Sequence, residues 1–132
     1  MKIIALIPAR SGSKSIPRKN IRKLCGKPLL SYTIQTALES VLIDRVIVTT
    51  DNKEIADIAK KYGAEVPFLR PKEISGDYAL DIEFHQHAID CLQENESYTP
   101  DLIVNLRPTN PIRNPITVDK AIQTLIDNPD MD

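Results

Sequence analysis

The stretch KIIALI at residues 2–7 decides the fold. An apolar run without polar alternation is typical of a strand that is buried on both faces of a parallel sheet. Residues 45–50 (RVIVTT) and 102–106 (LIVNL) have the same character. Residues 64–68 (AEVPF) form a weaker run, which we place at a sheet edge because Pro67 cannot donate to a strand ladder. The sequence therefore predicts three buried strands and one edge strand.

Segments with apolar residues at helical spacing lie between these strands. Apolar residues recur at helical spacing over residues 29–38, and a second helix is predicted from the N-cap Asp51 to a stop at Gly63. A fourth helix is predicted from the N-cap Asn114 to about Asp127, with proline at its first position. Between them, residues 79–95 carry the stripe of a third helix: Ile82, His85, Ile89 and Leu92. Alternating strands and helices predict an α/β fold, a three-layer α/β/α sandwich around a mostly parallel, Rossmann-like sheet.

Composition excludes several classes of protein. The 132 residues are the size of one domain, and 17 basic against 18 acidic residues give a formal net charge of −1. This balance argues against a basic nucleic-acid surface and a cationic membrane face. Two cysteines without a signal-like leader favour reduced thiols. We expect a cytoplasmic protein with small-molecule partners and neither nucleic-acid nor membrane partners.

The residues suited to chemistry cluster after the first strand. Residues 8–20 (PARSGSKSIPRKN) contain two arginines, two lysines and three serines. In parallel sheets ligands bind beyond the carboxyl ends of the strands, and cations with small hydroxyls there suit a polyphosphate. A solvated basic loop is the alternative interpretation.

Two familiar phosphate loops are excluded. A Walker loop needs glycines six residues and one residue before its lysine, where Pro8 and Ser13 precede Lys14. A dinucleotide fingerprint needs three glycines, and Gly12 is the only glycine among residues 8–20. The loop is therefore suited to phosphate but belongs to neither class.

The run IPARSGSKSIPRKNI at residues 7–21, followed by GKPL at residues 26–29, closely resembles the opening motif of the acylneuraminate cytidylyltransferases, the CMP-sialic acid synthetase family. Further matches keep the family's order: Thr50-Asp51-Asn52, Phe68-Leu69-Arg70-Pro71, Asp77, and Leu106-Arg107-Pro108-Thr109-Asn110-Pro111. The resemblance covers essentially the whole chain. It implies a nucleotide-diphospho-sugar transferase fold and an enzyme that transfers CMP from CTP to a sialic-acid-like 2-keto sugar acid, releasing pyrophosphate.

The resemblance also assigns residues. Arg10, Lys14 and Lys19 are expected to be catalytic, because three cations from one loop can neutralise the phosphates as pyrophosphate leaves. Arg107 and Thr109 are expected to bind the sugar acid. The expected nucleotide-binding set is Ala9, Arg10, Ser13, Lys14, Lys19, Asn20, Arg70, Ala79 and Asp81.

Several positions depart from the family pattern. Ser11 and Ser15 stand where glycine is common, which restricts the backbone of the loop. Asp81 stands where a serine is expected, and a carboxylate cannot donate a hydrogen bond to base or ribose. Arg107 stands where glutamine is frequent, which adds a cation suited to the carboxylate of an acidic sugar.

The resemblance implies Mg²⁺ as cofactor and a homodimer for the full-length protein. The family's metal-binding aspartates and dimer-forming segment lie beyond the position of Asp132, so we expect residues 1–132 to be one nucleotide-binding domain, an N-terminal portion without its own metal ligands. We therefore expect it to bind nucleotide with little turnover alone. Two alternatives stay open: a nucleotidyltransferase for another sugar or base, and a nucleotide-binding fragment without turnover.

Other candidate sites are weaker. Asp81 with His85, and Glu83 with His87, have a spacing that suits zinc on a helix, but the two histidines lie about 200° apart around the helix axis. Neither Cys25 nor Cys91 has an evident nearby base, so we do not expect a catalytic thiol. Asp51 is assigned mainly to its helix cap.

Overall fold

The computed structural model describes residues 1–9, 23–24, 26–69, 81–107 and 114–128, with only the backbone described for 23–24 and 81–84. None of the helices in these ranges combines the length and apolar character that a membrane crossing requires. The elements in chain order are β1 (Ile3–Pro8), β2 (Lys23–Leu24), β3 (Lys27–Pro28), α1 (Leu29–Glu39), β4 (Arg45–Thr49), α2 (Lys53–Lys61), α3 (Asp81–Glu96), β5 (Leu102–Asn105) and α4 (Pro115–Asp127).

β1 is the middle strand of a parallel sheet with the order β4-β1-β5. In its register Leu6 lies opposite Ile47 on one side and Asn105 on the other. The three apolar runs predicted as buried strands are therefore neighbours. β1 and β4 are buried as predicted, whereas the prediction of burial for the third strand is wrong, because all four residues of β5 are only half-buried. The predicted parallel α/β architecture is confirmed.

Helices cover both faces of this sheet. Ala5 and Ile7 of β1 pack in one apolar cluster with residues of α1 and α2, and Ile3 packs against α4. The alternate residues Ile4 and Leu6 pack against α3 on the opposite face. All five side chains are at most 3% exposed. Each large one stabilises the fold by about 1.5–3 kcal/mol relative to exposure, which explains why the layers close around β1.

The fourth predicted strand is reduced to one bridge. Glu65 pairs with Ile47, through hydrogen bonds from Glu65 N to Val46 O (2.8 Å) and from Val48 N to Glu65 O (2.9 Å). Pro67 follows and has no N–H, so the ladder does not continue. The short antiparallel pair β2–β3 was not predicted.

The buried stripe of α3 differs from the prediction at two of the three residues that can be compared, since the side chain of Ile82 lies outside the described residues. Leu92 is fully buried as expected, but Ala88 is the second fully buried residue, whereas Ile89 and His85 are only half-buried. The small Ala88 lets the helix approach the sheet closely. Helical spacing in the sequence alone does not distinguish Ala88 from Ile89 as the residue that faces the sheet.

The side chain of Arg45 links several elements at the amino-terminal edge of the sheet. Arg45 donates to Glu65 through Nε (3.0 Å) and Nη2 (2.7 Å), and its Nη2 lies 3.2 Å from a carboxylate oxygen of Glu96 at the end of α3. Its guanidinium also stacks 4.6 Å from the centroid of Tyr98. The hydrogen bond with Glu65 raises the pKa of Arg45, although burial opposes this. One residue thus joins β4, the bridge at Glu65 and α3.

Helix α2 begins one residue later than predicted. Asn52 is the N-cap, with extended backbone angles and a side-chain Oδ1 that accepts from Ile55 N at 3.1 Å. The prediction of Asp51 as the N-cap is wrong. An N-cap side chain accepts from a backbone N–H of the first helical turn, and the acceptor for Ile55 N is Asn52. The cap predicted at Asn114 is confirmed: its Oδ1 accepts from Ile116 N at 2.9 Å.

Asp119 of α4 ties that helix to the loop after α1. Its carboxylate accepts from the hydroxyl of Ser40 and from the backbone N–H groups of Val41 (3.1 Å) and Leu42 (3.4 Å). Burial opposes the ionised form, but these three hydrogen bonds together hold the pKa of Asp119 below its ordinary value. The tie stabilises the helical layer in which α1 lies beside α4.

Replacing Asp119 tests this tie. Asp119→Asn is expected to lower the free energy of unfolding by about 1 kcal/mol at pH 7, because an ionised acceptor of several hydrogen bonds is lost. A lowered native pKa stabilises above the unfolded value of about 4, and this stabilisation disappears as the pH falls through the native pKa. Urea unfolding from pH 7 to pH 3 measures it. Asp57→Asn on α2 is the control, and a difference that does not shrink below about pH 4 contradicts the assignment.

Replacing the two adjacent residues before α2 tests the cap. Asn52→Ala is expected to lower the free energy of unfolding by about 1 kcal/mol, because Ile55 N loses its acceptor. Asp51→Ala is the matched control and is expected to cost clearly less. Thermal or urea unfolding measures both, and an equal or larger loss for Asp51→Ala refutes the cap at Asn52.

Candidate functional site

The carboxyl edge of the sheet brings together the ends of three strands. β1 ends between its two neighbours: Ala9 N donates to Thr49 O (2.9 Å), and Leu106 N donates to Leu6 O (3.1 Å). The sheet order reverses at β1, with α1 packed on one face and α3 on the other. Open α/β sheets bind ligands beyond their carboxyl ends at such a reversal. This edge is the candidate site.

β1 delivers the predicted phosphate loop to this edge. Ala9 is fully buried, and the loop continues from residue 10. Because Ala9 is held by the hydrogen bond to β4, the chain enters the loop at a fixed place. The predicted nucleotide-binding residue Ala9 therefore lies at the site.

The turn after β4 forms one side of the edge. Thr49 and Thr50 are fully buried polar residues, and Thr50 Oγ1 accepts from Asn52 N at 3.2 Å. The hydroxyl fixes the turn that leads into α2. Asp51 lies half-buried inside this turn, directly before the N-cap Asn52.

The end of β5 forms the other side. Arg107, the predicted sugar-acid contact, is exposed two residues after β5. Asn105, the last residue of β5, has a buried Oδ1 without a hydrogen-bond partner in the described part of the chain. An unpaired buried acceptor costs about 1–3 kcal/mol, so Asn105 joins the candidate residues at this edge. Sequence reasoning missed it, although a single amide in the apolar run LIVNL was the available signal.

The structure places three of the predicted site residues. Ala9 and Arg107 lie at the carboxyl edge, and Asp81 is the first residue of α3, two residues after the predicted start of that helix. The remaining predicted site residues lie outside the described residues: Arg10, Ser13, Lys14, Lys19, Asn20, Arg70, Ala79 and Thr109.

The prediction that no base lies near Cys91 is wrong. His87 is one helical turn away, and its Nε2 lies 3.4 Å from Cys91 Sγ. Burial raises the pKa of Cys91, and the nearby carboxylates of Glu94 and Asp90 raise it further. The thiol is therefore protonated at neutral pH. Since the thiolate is the nucleophile, this environment does not activate Cys91.

The described ranges contain no group of three or more His, Cys, Asp and Glu side chains that is arranged to hold a metal ion. Such a group, as a set of oxygen ligands for Mg²⁺, is therefore not found within the described part of the chain. The zinc spacing of Asp81 with His85 and of Glu83 with His87 stays a prediction, because the side chains of Asp81 and Glu83 lie outside the described residues.

Known proteins share both the sequence and the fold. A pseudaminic acid cytidylyltransferase of Campylobacter jejuni is 45% identical over 129 residues, 97% of this chain and 55% of its own length. An N-acylneuraminate cytidylyltransferase of Escherichia coli is 44% identical over 122 residues, 92% of this chain and 28% of its own length. The chain thus spans about half, or less, of the curated relatives it matches.

A solved structure has the same fold. The structure of a CMP:2-keto-3-deoxy-manno-octonic acid synthetase complexed with CTP superposes with a TM-score of 0.80 at 22% identity, covering 99% of this chain and 50% of the other. The family model described as cytidylyltransferase matches residues 4–132. With the fold, the motifs and the relatives in agreement, the chain belongs to the cytidylyltransferase family, as its resemblance to the acylneuraminate cytidylyltransferases implied.

Proposed function

We propose that this chain binds CTP as part of an enzyme that transfers CMP to a sialic-acid-like 2-keto sugar acid and releases pyrophosphate. The observation that carries the proposal is the position of Ala9 at the edge where the strand order reverses. The cation-rich stretch at residues 10–20 follows Ala9 directly in the sequence. Membership of the cytidylyltransferase family supports CTP as the nucleotide.

The proposed reaction exchanges one bond at phosphorus. A hydroxyl oxygen of the sugar acid forms a bond to the α-phosphorus of CTP, and the bond from that phosphorus to pyrophosphate breaks. The hydroxyl proton is lost, and pyrophosphate leaves with the electron pair. Such transfers depend on positioning and charge stabilisation, since the protein forms no covalent bond.

Cations of the loop suit this task. In the proposal Arg10, Lys14 and Lys19 neutralise the phosphates as charge accumulates on the departing pyrophosphate. Asn20 and Arg70 bind ribose and base, with Ala9, Ser13, Ala79 and Asp81 completing the nucleotide contacts. The described residues contain no set of metal ligands for the Mg²⁺ that the resemblance implies, so the proposal assigns the neutralisation of charge to the cations of the loop.

Arg107 suits the acidic substrate. It is an exposed cation at the end of β5, beside the end of β1 where the loop begins. A guanidinium binds a carboxylate through two parallel hydrogen bonds, which a 2-keto sugar acid offers and a neutral sugar does not. We propose that Arg107, with Thr109, orients the sugar acid next to the α-phosphate.

Two assays test the proposal. Isothermal titration with CTP, UTP, ATP and GTP is expected to show tightest binding of CTP. A magnesium-dependent assay of pyrophosphate release is then run with CTP and N-acetylneuraminate, pseudaminic acid or 3-deoxy-manno-octulosonate. Tighter binding of another nucleotide indicates a transferase for another base. CTP binding without pyrophosphate release from any acid, both by this chain and by a version extended to the natural stop codon, indicates nucleotide binding without turnover.

Removing cations from the loop is the sharper test of nucleotide binding. Arg10→Ala and Lys14→Ala are each expected to weaken CTP binding by roughly 1.5–3 kcal/mol, because a charge-assisted contact to phosphate is lost. Lys60→Ala, which removes an exposed cation in the last turn of α2, is the matched control and should leave the affinity unchanged. Unchanged CTP affinity in both loop variants, with intact circular dichroism, excludes the loop as the phosphate site.

Arg107→Gln tests the sugar-acid side. The variant is expected to weaken binding of the sugar acid to the CTP-saturated protein by about tenfold, while CTP affinity changes less than twofold, because only the carboxylate contact is lost. Titration of CTP alone and then of the sugar acid separates the two effects. Equal losses for both ligands, or none, count against placing Arg107 beside the sugar acid.

A further inference from the structure

Asn105 is the polar residue of an otherwise apolar strand, β5. Alternate residues of β5 face opposite helical layers: Ile103 packs in the cluster with α3, and Val104 packs in the cluster with α1 and α2. Asn105 follows the same alternation, so its side chain lies on the α3 side of the sheet. The register places it opposite Leu6 of the middle strand β1.

The side-chain oxygen of Asn105 makes no hydrogen bond to the part of the chain that the structure describes, although this Oδ1 is buried. Leucine, isoleucine and valine fill the other three positions of β5, and none of them buries such an acceptor. An unpaired buried acceptor opposes folding. The amide of Asn105 is therefore not explained by the stability of the strand.

The backbone groups of Asn105 are also directed away from the sheet. Leu106 N donates to Leu6 O at 3.1 Å, so in this parallel ladder the N–H and C=O of Asn105 point away from β1. On that side of β5 the described ranges contain no further strand. The residue as a whole is half-buried rather than enclosed. Its polar groups thus lie at the open side of β5, at the carboxyl end of the strand.

Arg107 lies close to Asn105 and is exposed. Leu106, between them, is buried in the opposite cluster, so alternation brings Asn105 and Arg107 to the same side of the chain. Their Cα atoms are at most about 7 Å apart. A guanidinium binds a carboxylate, whereas an amide oxygen accepts from a hydroxyl or an N–H. The pair suits one molecule that carries both a carboxylate and a neutral donor, as a sugar acid does.

We propose that Asn105 is a specificity-determining residue for the sugar acid: its amide oxygen accepts a hydrogen bond from a hydroxyl or acylamino group of the substrate whose carboxylate binds Arg107. The inference rests on the proposed function, since that function places the sugar acid at Arg107. The terminal amide turns about a broad χ2 torsion, so presenting its oxygen to a ligand requires no change in the backbone. An acceptor that opposes folding in the unbound chain is then paired in the complex, which favours binding.

Two substitutions of Asn105 test the proposal through opposite effects on stability and affinity. Asn105→Leu removes the unpaired acceptor and is expected to raise the melting temperature by about 2–6 °C. The same variant is expected to weaken binding of N-acetylneuraminate to the CTP-saturated chain by about three- to tenfold, with a change in CTP affinity below about twofold. Asn105→Ala, which adds no bulk, is expected to weaken sugar-acid binding to the same extent. Thermal unfolding and isothermal titration measure these effects.

A second sugar acid identifies the donor. 3-Deoxy-manno-octulosonate carries hydroxyls but no acylamino group. Equal losses of affinity for it and for N-acetylneuraminate assign the contact to a hydroxyl. A loss for N-acetylneuraminate alone assigns it to the acylamino N–H.

A matched control is Gln123→Leu, which removes an exposed amide on α4 and is expected to leave sugar-acid affinity unchanged. Unchanged sugar-acid affinity in Asn105→Ala overturns the inference, because any loss in the leucine variant then comes from its bulk. A lower melting temperature of Asn105→Leu also overturns it, because the amide then stabilises the fold. Absence of sugar-acid binding by the unmodified chain instead overturns the proposed function.

Discussion

Burial of β1 on both faces is the constraint on which the rest of the structure depends. Ile3, Ile4, Ala5, Leu6 and Ile7 are almost fully inaccessible, so every one of these side chains needs an apolar partner above or below the sheet. Their backbone groups need partners in the plane, which β4 and β5 supply. A strand with apolar packing partners on both faces and hydrogen-bonded strands on both edges is fixed in position. The loop that follows it therefore starts from a rigid support.

The two ends of β1 differ in the polar and charged groups that surround them. At the amino end, carboxylates accept from backbone amides: Asp44 from Ile3 N at 2.7 Å and Asp101 from Lys2 N at 2.6 Å. Arg45 and its two glutamates close the same edge. At the carboxyl end lie two buried threonines, the exposed Arg107 and the amide oxygen of Asn105, which has no hydrogen-bond partner among the described residues. Ion pairing thus stabilises one edge, and polar groups suited to a ligand occupy the other.

The opposite helical layers also differ. α1, α2 and α4 lie on one face and are tied to one another, most directly by Asp119 and the loop after α1. α3 lies alone on the other face among the described helices. Its connection to the rest includes Phe68 and the Arg45 cluster at its carboxyl end. These contacts fix α3 against the sheet from both the bridge segment and β4.

Local patterns in the sequence were sufficient for the three strands of the parallel sheet, for the four helices and for the family, but not for the short pair β2–β3 or for the single bridge at Glu65. The apolar runs at residues 2–7, 45–50 and 102–106 predicted the parallel sheet because a strand buried on two faces tolerates no polar alternation. The motif at residues 7–21 indicated the family because its polar residues stand in fixed register. Only the tertiary structure decided which residue caps α2, since Asp51 and Asn52 are equivalent as cap types and it is the Asn52 side chain that accepts from Ile55 N. It also decided that Ala88 faces the sheet, that the Oδ1 of Asn105 is buried without a partner among the described residues, and that Phe68 meets His87 across 18 intervening residues. These contacts depend on how distant segments pack, and no local pattern encodes such distances.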